Sequence, residues 1–271
     1  MRRNVVKGRV LIIAGSDSGG GAGIQADIKA VSAMGAYAAT AITAVTVQNT
    51  LGVTGVHDIP TAIIREQIEA VLSDIGADAI KIGMIGRRDA GEAILAALEP
   101  WPDLPLVVDP VLVATSGDAL GGDGVAVFLR DKLIPRATVV TPNLPELAAL
   151  TGSGGQSPDD IQHAAEQLLD VGAGAVLAKG GHGEDDTLTD RLFTAGGVRS
   201  FSHPKIDTTS THGTGCTLAS ALAAGLAQGM ALEAATERAI NYVQVAIAAA
   251  PGFGGGHGPL NHLARHDGNV G

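Results

Sequence analysis

Residues 212–216 (HGTGC) contain the only cysteine of the chain and lead into a pattern that predicts a helix. Leu218, Leu222 and Leu226 follow at i, i+4 and i+8, the spacing of one helix face. A Gly-x-Gly turn that opens a helix directs free N–H groups at one point, and the helix dipole adds partial positive charge. This pattern predicts an anion site for a phosphate or a developing oxyanion. The same field should lower the pKa of Cys216 and make it a proton acceptor beside the phosphate.

A second glycine-rich stretch, residues 16–23 (SDSGGGAG), follows a predicted strand and precedes a predicted helix. It is neither G-x-G-x-x-G nor a P-loop, because no lysine of the chain follows a glycine. Its Asp-Ser-Gly-Gly also occurs in trypsin-like proteases, but its place at the start of an α/β pattern excludes that class. We expect a loop against which a substrate lies, with Asp27 on the following helix as a functional residue. The alternative for Asp27 is a solvated side chain.

Asp109, Asn143 and Glu146 are hard oxygen ligands that follow predicted strands. Mg²⁺ in nucleotide sites takes one or two carboxylates together with waters and phosphates. Asn143 and Glu146 are also spaced as a helix capping box, in which the two residues bind each other's backbone. The spacing does not decide between these two interpretations.

Three further residues have both a functional and an ordinary interpretation. Lys179, directly before two glycines, either meets a phosphate or is a surface charge. Gln48 follows a predicted strand and either reads a heteroaromatic ring through paired hydrogen bonds or caps a turn. His257 lies in a Gly-rich stretch and is expected to be a loop residue.

The elements that must position these residues alternate along the chain. Strands are predicted over 10–14, 40–47, 79–82, 106–108, 138–140 and 175–178, with a hairpin over 188–193 and 198–201. Helices are predicted over 24–34, 63–72, 90–98, 125–133, 158–169, 216–228 and 232–249. This alternation predicts a three-layer α/β/α sandwich with a mostly parallel central sheet, and a site at the carboxyl ends of the strands.

The composition limits the class of protein. We expect one domain over residues 1–271, with a core of about 8–250 and a Gly-rich tail over 251–271, since no composition shift marks a second domain. The net charge of −10 argues against nucleic acid or an anionic membrane as partner. One cysteine excludes an intrachain disulfide, and no apolar run approaches a membrane span. We expect a cytoplasmic protein that forms a homodimer.

Eight segments, taken together, resemble the ribokinase-like superfamily, and within it the hydroxymethylpyrimidine/phosphomethylpyrimidine kinases of thiamine biosynthesis. The Gly-Thr-Gly-Cys form is specific, because sugar kinases of the superfamily carry Asp where Cys216 stands. The segments span nearly the whole chain in the order of the family: AGSDSGGGAGIQADIKA (14–30), AITAVTVQNT (41–50), KIGMIG (81–86), VVDPVLVATSGDAL (107–120), TPNLPE (141–146), KGGH (179–182), THGTGCTLASALA (211–223) and GHGPLNH (256–262).

The resemblance implies a ribokinase-like fold and phosphorylation of 4-amino-5-hydroxymethyl-2-methylpyrimidine and its monophosphate, with ATP as donor and Mg²⁺ as cofactor. It also implies a role for each matching residue. The pyrimidine is held by Gly15, Ala22, Asp27, Gln48, Met84 and Val111; the catalytic group is Gly213, Gly215 and Cys216; the nucleotide side is Asn143, Lys179 and Thr211; and Asp109 and Glu146 hold the metal. Thr115 stands where many relatives have a lysine, which removes one cation from the second phosphorylation.

Two other functions remain open at this point. Pyridoxal kinase has the same fold and a substrate that also presents a hydroxymethyl group on a nitrogen ring. A non-catalytic nucleotide-binding regulator is the second alternative, and the intact set of Asp27, Asp109, Glu146 and Cys216 argues against it.

Overall fold

Nine strands form one sheet in the residues that the computed structural model describes, which are 6–112, 124–154, 157–180 and 186–264. The sheet order is β3-β2-β1-β4-β5-β6-β7-β8-β9. The strands are β1 Arg9–Asp17, β2 Tyr37–Asn49, β3 Gly52–Asp58, β4 Ala79–Ile82, β5 Leu106–Val108, β6 Val139–Val140, β7 Ala175–Ala178, β8 Thr187–Thr194 and β9 Gly197–Pro204. Pairing is parallel from β2 through β7 and antiparallel at both edges, where β3, β8 and β9 are added.

Helices cover both faces of this sheet and make three layers. They are α1 Gly23–Ala33, α2 Thr61–Asp74, α3 Arg88–Leu98, α4 Val125–Phe128, α5 Leu144–Thr151, α6 Pro158–Asp170, α7 Thr214–Ala227 and α8 Leu232–Ala248. One apolar core contains buried residues of α2 to α6, and the other contains those of α1, α7 and α8. The expected three-layer α/β/α architecture with a mostly parallel sheet is confirmed.

The alternation within β1 shows how the sequence divides these two cores. Leu11 and Ile13 belong to the core with α2 and α3, whereas Val10, Ile12 and Ala14 belong to the core with α1 and α7. Successive side chains of a strand point to opposite faces, so an all-apolar run suits a strand that is covered on both sides.

Three details differ from the sequence-based expectations. β1 continues past Gly15 to Asp17, with an irregular register between Ala14 and Ser16. The sequence gives no signal for the edge strand β3, because none of its residues is buried and two of them are glycines. The predicted helix over 125–133 is α-helical only to Phe128 and continues as a wider π-helical turn over Leu129–Leu133. Within the part of the chain described, no helix is long and apolar enough to cross a membrane.

Candidate active site

A cavity of about 610 Å³ opens at the carboxyl ends of the parallel strands. In sheets of this kind each βα connection leaves its strand at the same edge, so distant segments meet there. Of the predicted site residues, all but Asp27 line this cavity: Gly15, Ala22, Gln48, Met84, Asp109, Val111, Asn143, Glu146, Lys179, Thr211, Gly213, Gly215 and Cys216. Thr115 lies outside the described residues.

The N-terminus of α7 forms the middle of the cavity wall. Gly213 caps this helix with φ of +83°, a left-handed conformation that favours glycine. A Cβ at Gly213 would overlap the carbonyl oxygen of Gly21, so the helix start packs directly on the glycine-rich loop. No side chain caps α7; the Thr214 N–H donates to the Thr211 carbonyl at 3.3 Å, while Gly213 and Gly215 line the cavity. This geometry can hold a phosphate or a developing negative charge.

Cys216 lies in the first turn of α7, half-buried on the cavity wall. Burial raises the pKa of its thiol to about 12; the charge of Lys81 opposes the rise, while Asp27 and Asp109 add to it. The expectation of a lowered pKa is therefore wrong, because loss of solvation and nearby carboxylates outweigh the cation and the helix terminus. Cys216 carries its proton at neutral pH in the free protein.

A buried ion pair lies behind this part of the wall. The Lys81 ammonium donates to both carboxylate oxygens of Asp27 at 2.9 Å, and Ser220 donates to Asp27 Oδ1 at 2.7 Å. Both charged side chains are 0% exposed. Burial alone would lower the pKa of Lys81, but Asp27 and the other negative groups outweigh it and raise that pKa.

Asp27 therefore occupies a different place from the one expected. The resemblance implies that Asp27 contacts the substrate. Among the described residues, however, Asp27 does not line the cavity, whereas its partner Lys81 does. All the hydrogen bonds seen for the Asp27 carboxylate come from Lys81 and Ser220. The solvated alternative for Asp27 is also excluded, and the residue joins α1 to β4 and α7.

Lys179 lies between two carboxylates on the cavity wall. Its ammonium is 3.1 Å from Asp109 Oδ1 and 3.7 Å from Glu146 Oε2. Burial would lower the pKa of Lys179, but the two carboxylates raise it. Lys179 is 13% exposed, so it is not the surface charge of the ordinary interpretation.

Asn143 and Glu146 form the capping box that their spacing allowed. Asn143 Oδ1 accepts from the Glu146 N–H at 2.8 Å, and Glu146 Oε2 accepts from the Asn143 N–H at 2.8 Å. The cap begins α5 and holds Glu146 beside Lys179. The two interpretations of this pair are compatible, since a capping carboxylate keeps one oxygen free toward the cavity.

The donor set fits a hard divalent cation only together with ligand oxygens. Among the described residues, no three His, Cys, Asp or Glu side chains are grouped to hold a metal ion. Asp109 Oδ2, however, is buried and has no hydrogen-bond partner there. A carboxylate oxygen without a partner, with Glu146 nearby, is what Mg²⁺ uses when phosphates and waters supply the other ligands.

The other end of the cavity, called the Gln48 end, is lined by Gly15, Gln48 and Met84. Gly15 contacts the Met84 side chain, and the Thr43 hydroxyl donates to the Met84 carbonyl at 2.7 Å. The Gln48 amide lies between Thr46 and His212. This end can receive a flat heteroaromatic ring, with an amide at its edge.

Several lining residues were assigned no role from the sequence. Asp17 accepts hydrogen bonds from three backbone amides of the glycine-rich loop. Lys81 lies within one of the matching segments, but its sequence context does not predict a place in the site. The hairpin β8–β9 and α8 extend the cavity beyond Lys179. Its lining there includes Leu188, His203, Ile206, Val243, Gln244 and Ile247. No local pattern marks these residues, because tertiary packing brings them together.

Comparison with known proteins agrees with this geometry. A family model described as phosphomethylpyrimidine kinase matches residues 17–261. A hydroxymethylpyrimidine/phosphomethylpyrimidine kinase of Bacillus subtilis (strain 168) is 47% identical over 257 residues, covering 94% of this chain and 95% of the relative.

Two solved structures share the fold. Pyridoxal kinase of Bacillus subtilis in an ADP complex has a TM-score of 0.87 at 33% identity, covering 95% of this chain and 98% of that chain. A phosphomethylpyrimidine kinase from Clostridium difficile 630 has a TM-score of 0.78 at 39% identity, covering 88% and 98%. The match to the family model and the identity to the Bacillus subtilis kinase show that the chain belongs to the phosphomethylpyrimidine kinase family.

Proposed function

We propose that this chain transfers the γ-phosphoryl group of ATP to the hydroxymethyl group of 4-amino-5-hydroxymethyl-2-methylpyrimidine and then phosphorylates the monophosphate. The observation that carries the proposal is the order of groups along one cavity. An amide that can read a ring lies at one end, an uncapped helix N-terminus lies in the middle, and Lys179 with two carboxylates follows. The named kinase relative supports the reaction, and the ADP-bound structural relative supports a nucleotide as donor.

The acceptor would lie at the Gln48 end. Gly15, Ala22, Gln48, Met84 and Val111 surround that space. Their small or flat surfaces suit an aromatic ring, and Gln48 supplies one donor and one acceptor at its edge.

The donor phosphates would lie between α7 and Lys179. Phosphoryl transfer depends on aligning donor and acceptor and on neutralising charge at the equatorial oxygens. The N–H groups of Gly213 and Gly215, at the start of α7, supply fixed positive dipoles without reorganisation. Lys179 adds one full positive charge, and Asn143 and Thr211 also line the cavity.

Cys216 would hold the acceptor hydroxyl rather than deprotonate it in advance. Its thiol is protonated at neutral pH, so it offers a weak S–H donor and a sulfur acceptor beside the anion site. The hydroxyl proton passes to an oxygen of the transferred phosphoryl group as the O–P bond forms and the bond from phosphorus to the leaving ADP oxygen breaks.

Asp109 and Glu146 would hold Mg²⁺ together with the nucleotide phosphates. Mg²⁺ supplies charge neutralisation and alignment of the phosphates when it is bound. The free Oδ2 of Asp109 is the atom of this chain best placed for it.

A coupled ADP-release assay tests the proposal, with the hydroxymethylpyrimidine, its monophosphate and pyridoxal as acceptors. Pyridoxal is included because the ADP-bound structural relative is a pyridoxal kinase. We expect the aminopyrimidine to have the higher kcat/KM. A higher value for pyridoxal would reassign the chain, and no ADP release with any acceptor would favour a non-catalytic nucleotide-binding protein.

A further inference from the structure

A row of polar contacts at the Gln48 end of the cavity joins Asp17, His212, Gln48 and Thr46. His212 Nε2 lies 2.9 Å from Asp17 Oδ2 and 3.5 Å from the Gln48 amide. On its other side the Gln48 amide lies 3.0 Å from Thr46 Oγ1. Asp17, His212 and Thr46 are 2%, 6% and 4% exposed, so bulk water competes little for these contacts.

Asp17 decides which nitrogen of His212 carries a proton. Its carboxylate also accepts from the N–H groups of Gly19, Gly21 and Ala22 at 2.8 to 3.1 Å. Burial would raise the pKa of Asp17, but the hydrogen bonds from His212 and the loop amides outweigh it and lower that pKa. A carboxylate can only accept, so His212 Nε2 must carry a proton.

Two neighbours then orient the Gln48 amide independently. The one proton of His212 Nε2 goes to Asp17, and the Gln48 amide lies 3.5 Å from the same nitrogen, where the N–H favours the amide oxygen and repels the amide N–H groups. Thr46 Oγ1 has one proton, which the Ser16 carbonyl at 2.9 Å accepts, so Thr46 must accept from the amide nitrogen. In the structure Gln48 Nε2 faces His212 and Gln48 Oε1 faces Thr46, the reverse of this arrangement. A half-turn about Cγ–Cδ keeps the shape and satisfies both neighbours.

We propose that the Asp17–His212 pair determines substrate specificity by holding the Gln48 amide with its oxygen toward His212. The pair is a positioning device, since it acts through Gln48. This inference rests on the proposed function and adds the orientation in which an aminopyrimidine ring binds.

The orientation matters because a 4-aminopyrimidine presents an accepting ring nitrogen beside a donating amino group. The Gln48 amide matches this pair with the amino group on the His212 side. The hydroxymethyl group is adjacent to the amino group on the ring, so it is then directed toward residues 213–216. The reversed amide would turn the ring over and carry the hydroxymethyl group to the Thr46 side. Pyridoxal has no such amino group and gains little from the orientation.

Two variants of one residue test the proposal by activity. His212→Leu removes the donor, and we expect kcat/KM for the aminopyrimidine to fall by about tenfold or more through a mismatched hydrogen bond. The value for pyridoxal should change less than about threefold, so the ratio of the two moves. His212→Gln keeps an N–H that can reach both neighbours and should restore most of the ratio. An equal fall for both substrates in His212→Leu, or no rescue by His212→Gln, overturns the proposal.

Asp190→Asn is the matched control. It changes the other His–Asp pair of the cavity, in which His203 Nε2 lies 3.2 Å from Asp190 Oδ2 at the nucleotide side. We expect any change in kcat/KM there to be the same factor for both acceptors. A shift of the acceptor ratio in this variant would show that the ratio does not report on His212.

A spectroscopic measurement covers the cases in which a variant folds poorly or the chain acts on another substrate. Long-range ¹H–¹⁵N correlation of the unsubstituted protein should show His212 protonated at Nε2 over neutral pH. Calorimetry with 4-amino-2-methylpyrimidine, which lacks the reacting hydroxyl, should show binding that Gln48→Glu weakens. A neutral His212 protonated at Nδ1 alone refutes the proposal even if the kinase activity is confirmed. The expected tautomer and binding without turnover would instead refute only the proposed function.

Discussion

At the scale of single residues, Cys216 shows how burial can reverse an expectation based on position in a helix. A helix N-terminus favours a thiolate, so the sequence of residues 212–216 predicts a lowered pKa for Cys216. The structure adds the carboxylates of Asp27 and Asp109 and the loss of solvent around the sulfur, and the pKa rises to about 12. These groups are distant in sequence, so the spacing of the motif could not reveal them.

Alkylation of Cys216 measures this directly, because the chain has no other cysteine. The thiolate is the reactive form, so the rate with iodoacetamide should rise about tenfold per pH unit from 7 to 10 without a plateau. Lys81→Met should slow the reaction at each pH, since Lys81 opposes the rise in the pKa. Mass spectrometry follows the adduct, with glutathione as the reference thiol. A plateau near pH 7 would show a stabilised thiolate and return Cys216 to the role of base.

The Asp27–Lys81 pair supports a prediction about stability. Removing one member of a buried ion pair typically costs about 3–5 kcal/mol, because the other charge is left uncompensated. Asp27→Asn and Lys81→Met should each lower the free energy of unfolding by an amount of this order. The double variant should be destabilised by clearly less than the sum of the two.

Urea denaturation of the four proteins measures the cycle. The exposed Arg65–Glu69 pair, whose side chains are 58% and 42% exposed, is the control, and its loss should cost below about 1 kcal/mol. Strict additivity for Asp27 and Lys81 would mean that the two charges do not stabilise each other.

At the scale of elements, local patterns predicted most of the helices and strands but not every contact between them. The capping box at Asn143 and the start of α6 at Ser157 depend on residues three apart, and the structure contains both. The edge strand β3 and the cavity wall formed by β8, β9 and α8 depend on pairing across the chain. No periodicity within those segments carries that information.

The start of α7 gives the prediction at this scale. Gly213→Ala must place a methyl group against the Gly21 carbonyl, at a φ that L-residues rarely adopt. Either the glycine-rich loop or the helix terminus must move, and both line the site. We expect kcat/KM to fall by about 100-fold or more, because small displacements of catalytic dipoles are costly.

Gly229→Ala is the matched control for that variant. Gly229 has φ of +80°, close to the +83° of Gly213, but nothing lies within 4 Å of its added Cβ. It should lose a similar amount of stability from backbone strain, about 1 kcal/mol, and keep its activity. If Gly213→Ala were as active as Gly229→Ala, the close approach of α7 to the loop would not matter for catalysis.

At the scale of the whole molecule, the order of segments along the chain was sufficient to predict the layers, the parallel sheet and the edge at which the site lies. The charge balance within the cavity needed the structure. Among the described residues, Asp17, Asp109, Glu146 and Asp190 face it alongside Lys81, Lys179 and Lys205, so carboxylates outnumber ammonium groups there. The chain as a whole has a net charge of −10. Anionic substrates therefore approach against the overall field and depend on the local dipoles of α7 and on Lys179.

This balance predicts how the two phosphorylation steps differ. The first acceptor is neutral, whereas the monophosphate is an anion that must approach a second anion, the nucleotide. With Mg²⁺ held saturating, raising the ionic strength from about 20 to 200 mM should raise kcat/KM for the monophosphate relative to the hydroxymethylpyrimidine, because screening weakens the repulsion. Phosphorus NMR of the reaction over time measures both products in one sample. Accumulation of monophosphate alone at every ionic strength, with excess Mg·ATP, would leave a kinase of the hydroxymethyl group only. A ratio that falls with salt would show instead that local attraction by Lys179 and α7 exceeds the repulsion by the rest of the chain.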